Sequence, residues 1–403
     1  MNKPLLLFTT CIASCIASAY SAQRSVDLVC FDYASLVEIR KEVKSGKDEY
    51  QDAYKKLLGQ ANNLLDVTPL TVVDGHKPPS GDKHDFYAIG KYSWPNPSTQ
   101  DGMPWIRRDC DVNPEAFGDG FDLERYNKTV AHIKTLSLAW FYSGEERYAR
   151  KATELLRVWF INPDTKMNPN FNCASALPGV HKGMRIGIIF GVTLIKMVDH
   201  VKLLGLSESW TEKDDAALKQ WLSDYVTWLL ESDFGKKEAM AKDNHGTWYA
   251  AQVAAFSLYS ENQKQSHAAI NIAKTQISEL IGEDGSLPAE TKRDWSFHYS
   301  IYGLEAFVIV ARCAELVGED LWLYQSPSGR SLKTACEFIT PFVAGVKKWN
   351  YKNTKENEFP AINALPMVRQ IAAAYQAPEF SKTATYLLSA SPKNARDAWL
   401  TGK

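Results

Sequence analysis

The sequence predicts an all-α protein built from repeated helical hairpins, and three observations carry that prediction. From about Leu123 onward apolar residues recur at helical spacing, the breaks between these stretches are rich in Gly, Pro, Asn and Asp, and strand-like alternation is scarce. The helical stretches run Leu123 to Tyr142, Glu146 to Phe160, Met184 to Leu204, Glu212 to Leu230, His245 to Tyr259, Gln265 to Ile281, Ser296 to Val317, Ser331 to Lys348 and Ala361 to Tyr375. Links as short as Ser143-Gly144-Glu145 force neighbouring helices to run antiparallel. Hairpins that bury their apolar faces on one another form a bundle, a solenoid, or a closed or incomplete α/α toroid. No strict repeat is visible, which counts against a regular solenoid.

The bulk composition is that of a folded chain. Of 403 residues, 45% are hydrophobic and 23% charged, values of an ordinary globular protein rather than a disordered one. Its 46 basic side chains nearly balance 47 acidic ones, so no global field points to nucleic acid or an anionic membrane as partner. An acidic substrate then has to be held by a local basic site. The 12 Trp residues supply rings that can stack on sugars, although most serve as core.

The start of the chain reads as an export signal over residues 1–22. Lys3 supplies a positive end, Leu5 to Ile16 an apolar run too short to span a bilayer comfortably, and Ala17-Ser18-Ala19 a small-residue cleavage site. Ile12-Ala13-Ser14-Cys15 also has the form of a bacterial lipoprotein signal. The expected location is therefore periplasmic, secreted or lipid-anchored through Cys15, the last being the expected route to a membrane. Cys30, Cys110, Cys173, Cys313 and Cys336 follow, an odd number without close pairs; an oxidising compartment permits a disulfide but the spacing specifies none.

Residues 23–403 are expected to form one domain with a helical lead-in, Tyr33 to Leu65. Between Thr68 and Gly120 apolar periodicity disappears while Phe86, Tyr87, Tyr92, Trp94 and Trp105 crowd together. Rings that dense argue for an ordered loop over a cleft rather than disorder. A second loop, Asn162 to Gly179, is expected on the same side.

Three stretches concentrate polar and aromatic residues. In Lys242-Asp243-Asn244-His245-Gly246-Thr247-Trp248-Tyr249, Asp243 or Asn244 caps a helix. Taken alone, the stretch reads first as a capped helix with a structural His245; in the functional reading the orphan N–H groups of that helix, its positive dipole end and the Asn244 amide together suit a carboxylate. In Glu290-Thr291-Lys292-Arg293-Asp294-Trp295-Ser296-Phe297-His298-Tyr299, Arg293 and Tyr299 serve one site only if the loop brings the guanidinium back over the first helical turns. The third stretch, Lys83 to Pro97 with Met103 to Asp109, interleaves rings with cations: His84, Tyr87, Lys91, Tyr92, Trp94, Trp105, Arg107 and Arg108. Such a surface suits an anionic sugar chain, the ring meeting the pyranose face and the cation the carboxylate. A surface loop pinned by its own aromatics accounts for the same residues.

No His-Glu-x-x-His run, clustered Cys or glycine-rich phosphate loop occurs, so no metal or other cofactor is expected. A glycoside hydrolase needs two carboxylic acids, which Asp85, Asp109, Glu115, Asp243, Glu290 and Asp294 offer without a clear pair. A catalytically silent surface glycan-binding protein is the alternative from outside enzymes.

Taken together and in order, the three stretches resemble the alginate lyase family of polysaccharide lyases. The matching residues are His84-Asp85-Phe86-Tyr87, Tyr92-Ser93-Trp94-Pro95-Asn96-Pro97, Asn244-His245-Gly246-Thr247-Trp248-Tyr249, and Arg293 with His298-Tyr299 ahead of Gly303-Leu304-Glu305-Ala306. The resemblance implies a helical toroid, an anionic polysaccharide substrate, and Asn244, His245, Arg293 and Tyr299 as catalytic residues. It also implies β-elimination on a uronic-acid polymer, most simply polymannuronate, with Trp248 among the substrate contacts. Two departures touch the carboxylate-binding side: Trp295 stands where members often carry a second Arg, and Asp243 where they often carry Asn. Glucuronan or another uronate polymer is the alternative substrate.

Overall fold

The computed structural model describes residues 26–108, 111–352 and 360–390. The export signal with Cys15, and also Asp109 and Cys110, lie outside the described residues. Two lead-in helices, α1 (Tyr33–Lys44) and α2 (Asp48–Asn63), replace the single lead-in expected. They precede a long loop with three short strands, β1 (Tyr87–Ile89), β2 (Ser93–Trp94) and β3 (Ile106–Arg107). Then come α3 (Asp122–Ser143), α4 (Glu146–Leu156), strand β4 (Cys173–Ala176), α5 (Val192–Leu204), α6 (Glu212–Glu231), α7 (Asp233–Ala239), α8 (Asn244–Tyr259), α9 (Gln263–Leu280), α10 (Ser296–Leu316), α11 (Leu332–Val343), α12 (Leu365–Tyr375) and α13 (Pro378–Ala390).

The fold is an all-α toroid. Helices α3, α5, α8 and α10 pack in succession, while α4, α6, α9 and α11 pair with them from outside. Helices α8 and α10 are buried on nearly every side, as inner helices must be: Trp248, Tyr249, Val253 and Phe256 are enclosed in α8, and Leu304, Phe307 and Val310 in α10. The inner helices run parallel. Lys196 of α5 meets Glu305 of α10 at 2.9 Å, and further along both helices reach one segment, residues 27–30. There the Asp199 carboxylate accepts the Val29 N–H at 2.9 Å and the Cys30 N–H at 2.6 Å, while Arg312 donates to the Leu28 carbonyl. The N-terminal ends of α5 and α10 therefore share one face.

The opposite end holds a cavity of about 460 Å³ bounded by Cys30, Asp32, Arg312, Trp322 and Arg369. None of the candidate site residues borders it. Cys30, Cys173, Cys313 and Cys336 are buried free thiols, and among the described residues no helix is long and apolar enough to cross a membrane.

Several boundaries differ from expectation. The stretch Met184 to Leu204 opens as a 3-10 turn over Arg185–Gly191 before α5 begins, since two glycines within seven residues weaken an α-helix. Helix α11 stops at Val343 rather than running to Lys348, because Gly345 takes a left-handed φ of +67° that turns the chain away. Helix α4 ends at Leu156, and Arg157–Ile161 widen into a π-turn. Two helices had not been expected: α7 is too short to show a period, and α13 buries only Phe380, Thr383 and Leu387.

Candidate active site

Asn244 and His245 head α8. Asp243 is the N-cap and accepts the His245 N–H at 3.1 Å; the Asn244 N–H goes to Glu290 Oε1 at 2.5 Å and the Gly246 N–H to the Asp243 carbonyl. The helix-end donors expected to await a substrate carboxylate are thus already engaged by the protein. Side-chain Nδ2 of Asn244 also donates to both Glu290 oxygens, at 3.1 and 3.2 Å. Gly303 of α10 faces this pair: a side-chain carbon there would stand in ordinary contact with Asn244 Cβ at 3.7 Å and tight against Leu287 at 3.1 Å. Burial pushes the Glu290 carboxyl above its ordinary pKa, against the pull of the Asn244 bonds and nearby Arg293.

The His245 ring is held from below. Its Nδ1 lies 2.5 Å from Glu238 Oε1, and Arg185, in the 3-10 turn before α5, pairs with the other Glu238 oxygen. Glu238 is fully buried. A carboxylate only accepts, so Nδ1 carries the proton and Nε2 remains the acceptor. Sequence reasoning missed Glu238. Its only sequence signal is a lone Glu seven residues before the His, in a helix too short to read.

The loop ahead of α10 meets the geometric demand on Arg293. Its guanidinium carbon sits 4.1 Å from the centroid of the Tyr299 ring, a cation–π contact. Tyr299 is 8% exposed, and Trp295, at the position where an Arg is common in the resembling family, stacks on it at 6.5 Å. Next along α10, His298 packs on Tyr302 and Tyr302 on Trp248 of α8 at 4.7 Å. Burial, with the charges of Lys91 and Arg293, lowers the His298 pKa. The charge of Lys91, on the long loop, thus reaches the start of α10. The fold brings Asn244 and His245 to one helix start and Arg293 and Tyr299 to the adjacent one, with Glu290 accepting from Asn244 through its carboxylate and from the Arg293 N–H through its carbonyl.

The long loop is ordered by contacts with the second one. Strand β1 pairs with β4 in parallel, the Trp105 N–H donates to the Pro178 carbonyl, and Asn168 donates to Asp85 at 2.8 Å. Cations of the loop lie over its own rings, Lys91 over Tyr92 at 4.8 Å and Arg108 over Trp94 at 5.2 Å. Lys91 and Arg107 are exposed, and Trp94, Trp105 and Arg108 half-buried.

Other residues of the expected binding set make contacts within the protein. Trp248 is 1% exposed and is a core residue rather than a sugar contact. Tyr92 is likewise buried. His84 Nδ1 is bound to the Lys166 carbonyl at 2.7 Å, and Tyr87 packs its half-buried ring edge-on against Phe121; both fasten the loop. Among the described residues no three His, Cys, Asp or Glu side chains converge so as to hold a metal ion.

Comparison with known proteins places this geometry. The model of the alginate lyase family matches residues 73–349. The chain belongs to the alginate lyase family. As a member it is a polysaccharide lyase, which replaces both the hydrolase and the silent glycan-binding alternatives. An alginate lyase from Bacteroides ovatus is 30% identical with a TM-score of 0.84, covering 94% of this chain and 99% of its own. Alginate lyase A1-III from Sphingomonas species A1 shares the fold at 15% identity and a TM-score of 0.51, covering 82% and 93%. A tyrosine-to-phenylalanine form of that lyase, complexed with tetrasaccharide, has a TM-score of 0.55 at 16% identity and covers 91% and 97%. The comparison with curated proteins finds no match.

Proposed function

We propose that this lyase cleaves mannuronate-rich alginate by β-elimination, with Tyr299 as both base and acid. The observation that carries the reading is the Arg293 guanidinium over the Tyr299 ring. The guanidinium sets a fixed positive charge beside the phenol that exchanges protons during the reaction. Tyr299 then takes the C5 proton, the C5–H electron pair forms the C4–C5 double bond as the C4–O4 bond breaks, and the phenol returns its proton to O4. In mannuronate the C5 hydrogen and O4 lie on one face, so one residue serves both steps. On guluronate, where they are anti, the acceptor Nε2 of His245 is the base and Tyr299 the acid.

The C5 proton is acidic only if the adjacent carboxylate is neutralised. Arg293 supplies that charge, and Asn244, its amide oriented by Glu290, adds a donor to the developing enolate-like oxygens. Glu238 is a positioning residue for His245. Spacing supports the assignment. Solved forms of lyase A1-III carry a histidine-to-alanine and a tyrosine-to-phenylalanine change, each complexed with tetrasaccharide; those two positions are 54 apart, as are His245 and Tyr299.

Lys91, Trp94, Trp105, Arg107 and Arg108 form the adjoining anionic-sugar surface. Residues 23–403 act as one catalytic domain, and residues 1–22 direct export to the periplasm, the medium or a lipid anchor at Cys15. The test is absorbance of unsaturated uronate ends over polymannuronate, polyguluronate and glucuronan. The fastest rise is expected on polymannuronate; reducing ends accumulating without that absorbance overturn the reading.

A further inference from the structure

Outside the stretches already discussed, one more segment alternates cations and rings: Lys347-Lys348-Trp349-Asn350-Tyr351-Lys352. In a chain of net charge −1, three lysines in six residues are a local feature. The segment is stitched to the start of α10. Trp349 Nε1 donates to Ser296 Oγ at 2.8 Å, Ser296 Oγ donates to the Lys352 carbonyl, and Lys352 pairs with Asp294. Behind it, Trp349 rests on Phe342 at 4.9 Å and Phe297 at 5.2 Å, with Tyr351 against its own ring at 4.9 Å. These rings fix the segment while leaving Trp349 and Tyr351 half-exposed and Lys347 and Lys348 exposed.

Helix geometry sets this segment on the other side of Tyr299 from His298. At about 100° per residue, Tyr299 lies between His298 and Ser296 around α10, about 100° from one and about 60° from the other. The His298 side feels the charge of Lys91; the Ser296 side holds Trp349. Two cation-and-ring surfaces thus flank the reacting phenol.

We propose that residues 347–352 form a distal subsite that holds an anionic polysaccharide on the far side of the cleavage point from Lys91. The inference rests on Tyr299 as the reacting group. A chain laid across Tyr299 from the Lys91 surface reaches this one, its carboxylates meeting Lys347 and Lys348 and a pyranose face meeting Trp349 or Tyr351. Only substrates long enough to bridge both surfaces gain from it.

The test is a double variant, Lys347→Ala with Lys348→Ala, assayed on polymannuronate and on a mannuronate tetrasaccharide. KM for the polymer is expected to rise about three- to tenfold at low salt, with the difference shrinking as salt is added. An unchanged polymer KM overturns the subsite, as does an equal rise on the tetrasaccharide, which would place the effect at the reacting centre. Titrating polymannuronate into Tyr299→Phe protein, with and without the lysine changes, reads binding apart from turnover; equal affinities overturn the proposal. Binding of the double variant to anionic lipid vesicles falling while polymer affinity holds would assign the lysines to a membrane instead. Wild-type turnover of the polymer is the control separating failure of the subsite from failure of the catalytic reading.

Discussion

The starts of α8 and α10 and the long loop over residues 83–108 are both rich in polar and aromatic side chains, yet they are built oppositely. At the helix starts the polar groups are bonded to buried carboxylates: Glu290 holds Asn244, and Glu238, fully enclosed, holds His245. In the loop, exposed or half-exposed cations lie over rings that are themselves tied to backbone, as Trp94 is to the Asp111 carbonyl at 2.9 Å. Rigid placement of the reacting groups governs turnover. A solvated cation surface governs capture of a charged chain, and salt weakens it. Changes in the first region should therefore act on kcat and changes in the second on KM.

The strongest way to break that division is Tyr299→Phe. Its turnover is expected to fall by about 10²–10⁴, the weight of general acid–base catalysis, with the thermal unfolding midpoint close to wild type. Wild-type-like turnover would remove the phenol from the reaction. Next comes Trp248→Ala, which separates burial from sugar contact. An enclosed Trp of α8 packed on Tyr302 should cost about 3–5 kcal/mol of stability when truncated, seen as a lowered denaturation midpoint. A selective rise in KM with unchanged stability would restore it to the substrate surface.

Glu238→Gln tests the buried scaffold. The substitution keeps shape but removes the obligate acceptor, so the His245 tautomer is no longer fixed. Turnover on guluronate-rich substrate, where His245 is the base, is expected to drop about 10–100-fold. The drop on polymannuronate should be smaller, because Tyr299 serves both steps there. Equal losses on the two polymers would mean that Glu238 supports the fold rather than the base.

How much of this was legible in the sequence follows from the range of the interactions. The helices of the toroid and the helix start at Asn244-His245 were legible, because helical periodicity and capping are local, whereas the grouping of Arg293 with Tyr299 was implied by the family resemblance and not by the residues alone. The engagement of the α8 donors was not, since Glu290 arrives from 46 residues away. Nor was the clamp of Arg185 on Glu238, which joins a 3-10 turn to α7 across 53 residues. The loop misled in the other direction. Composition alone cannot separate a ring that faces solvent from one that fastens the loop, so the contacts of His84 and Tyr87 within the loop region and the burial of Tyr92 were not legible.

The mildest change, Arg107→Ala, sharpens the comparison most, because its side chain is exposed on β3, beside the Arg108 that lies over Trp94. If the loop acts by charge, KM for polymannuronate should rise about two- to fivefold, the worth of one solvated charge contact, while kcat and the unfolding midpoint stay put. Because the Debye length shrinks from about 10 Å at 0.1 M salt to about 3 Å at 1 M, the variant and wild type should converge across that range. Convergence is the decisive feature: a KM difference that persists at high salt would mean that Arg107 shapes the loop rather than drawing in the chain, and the two regions would then differ in exposure but not in kind.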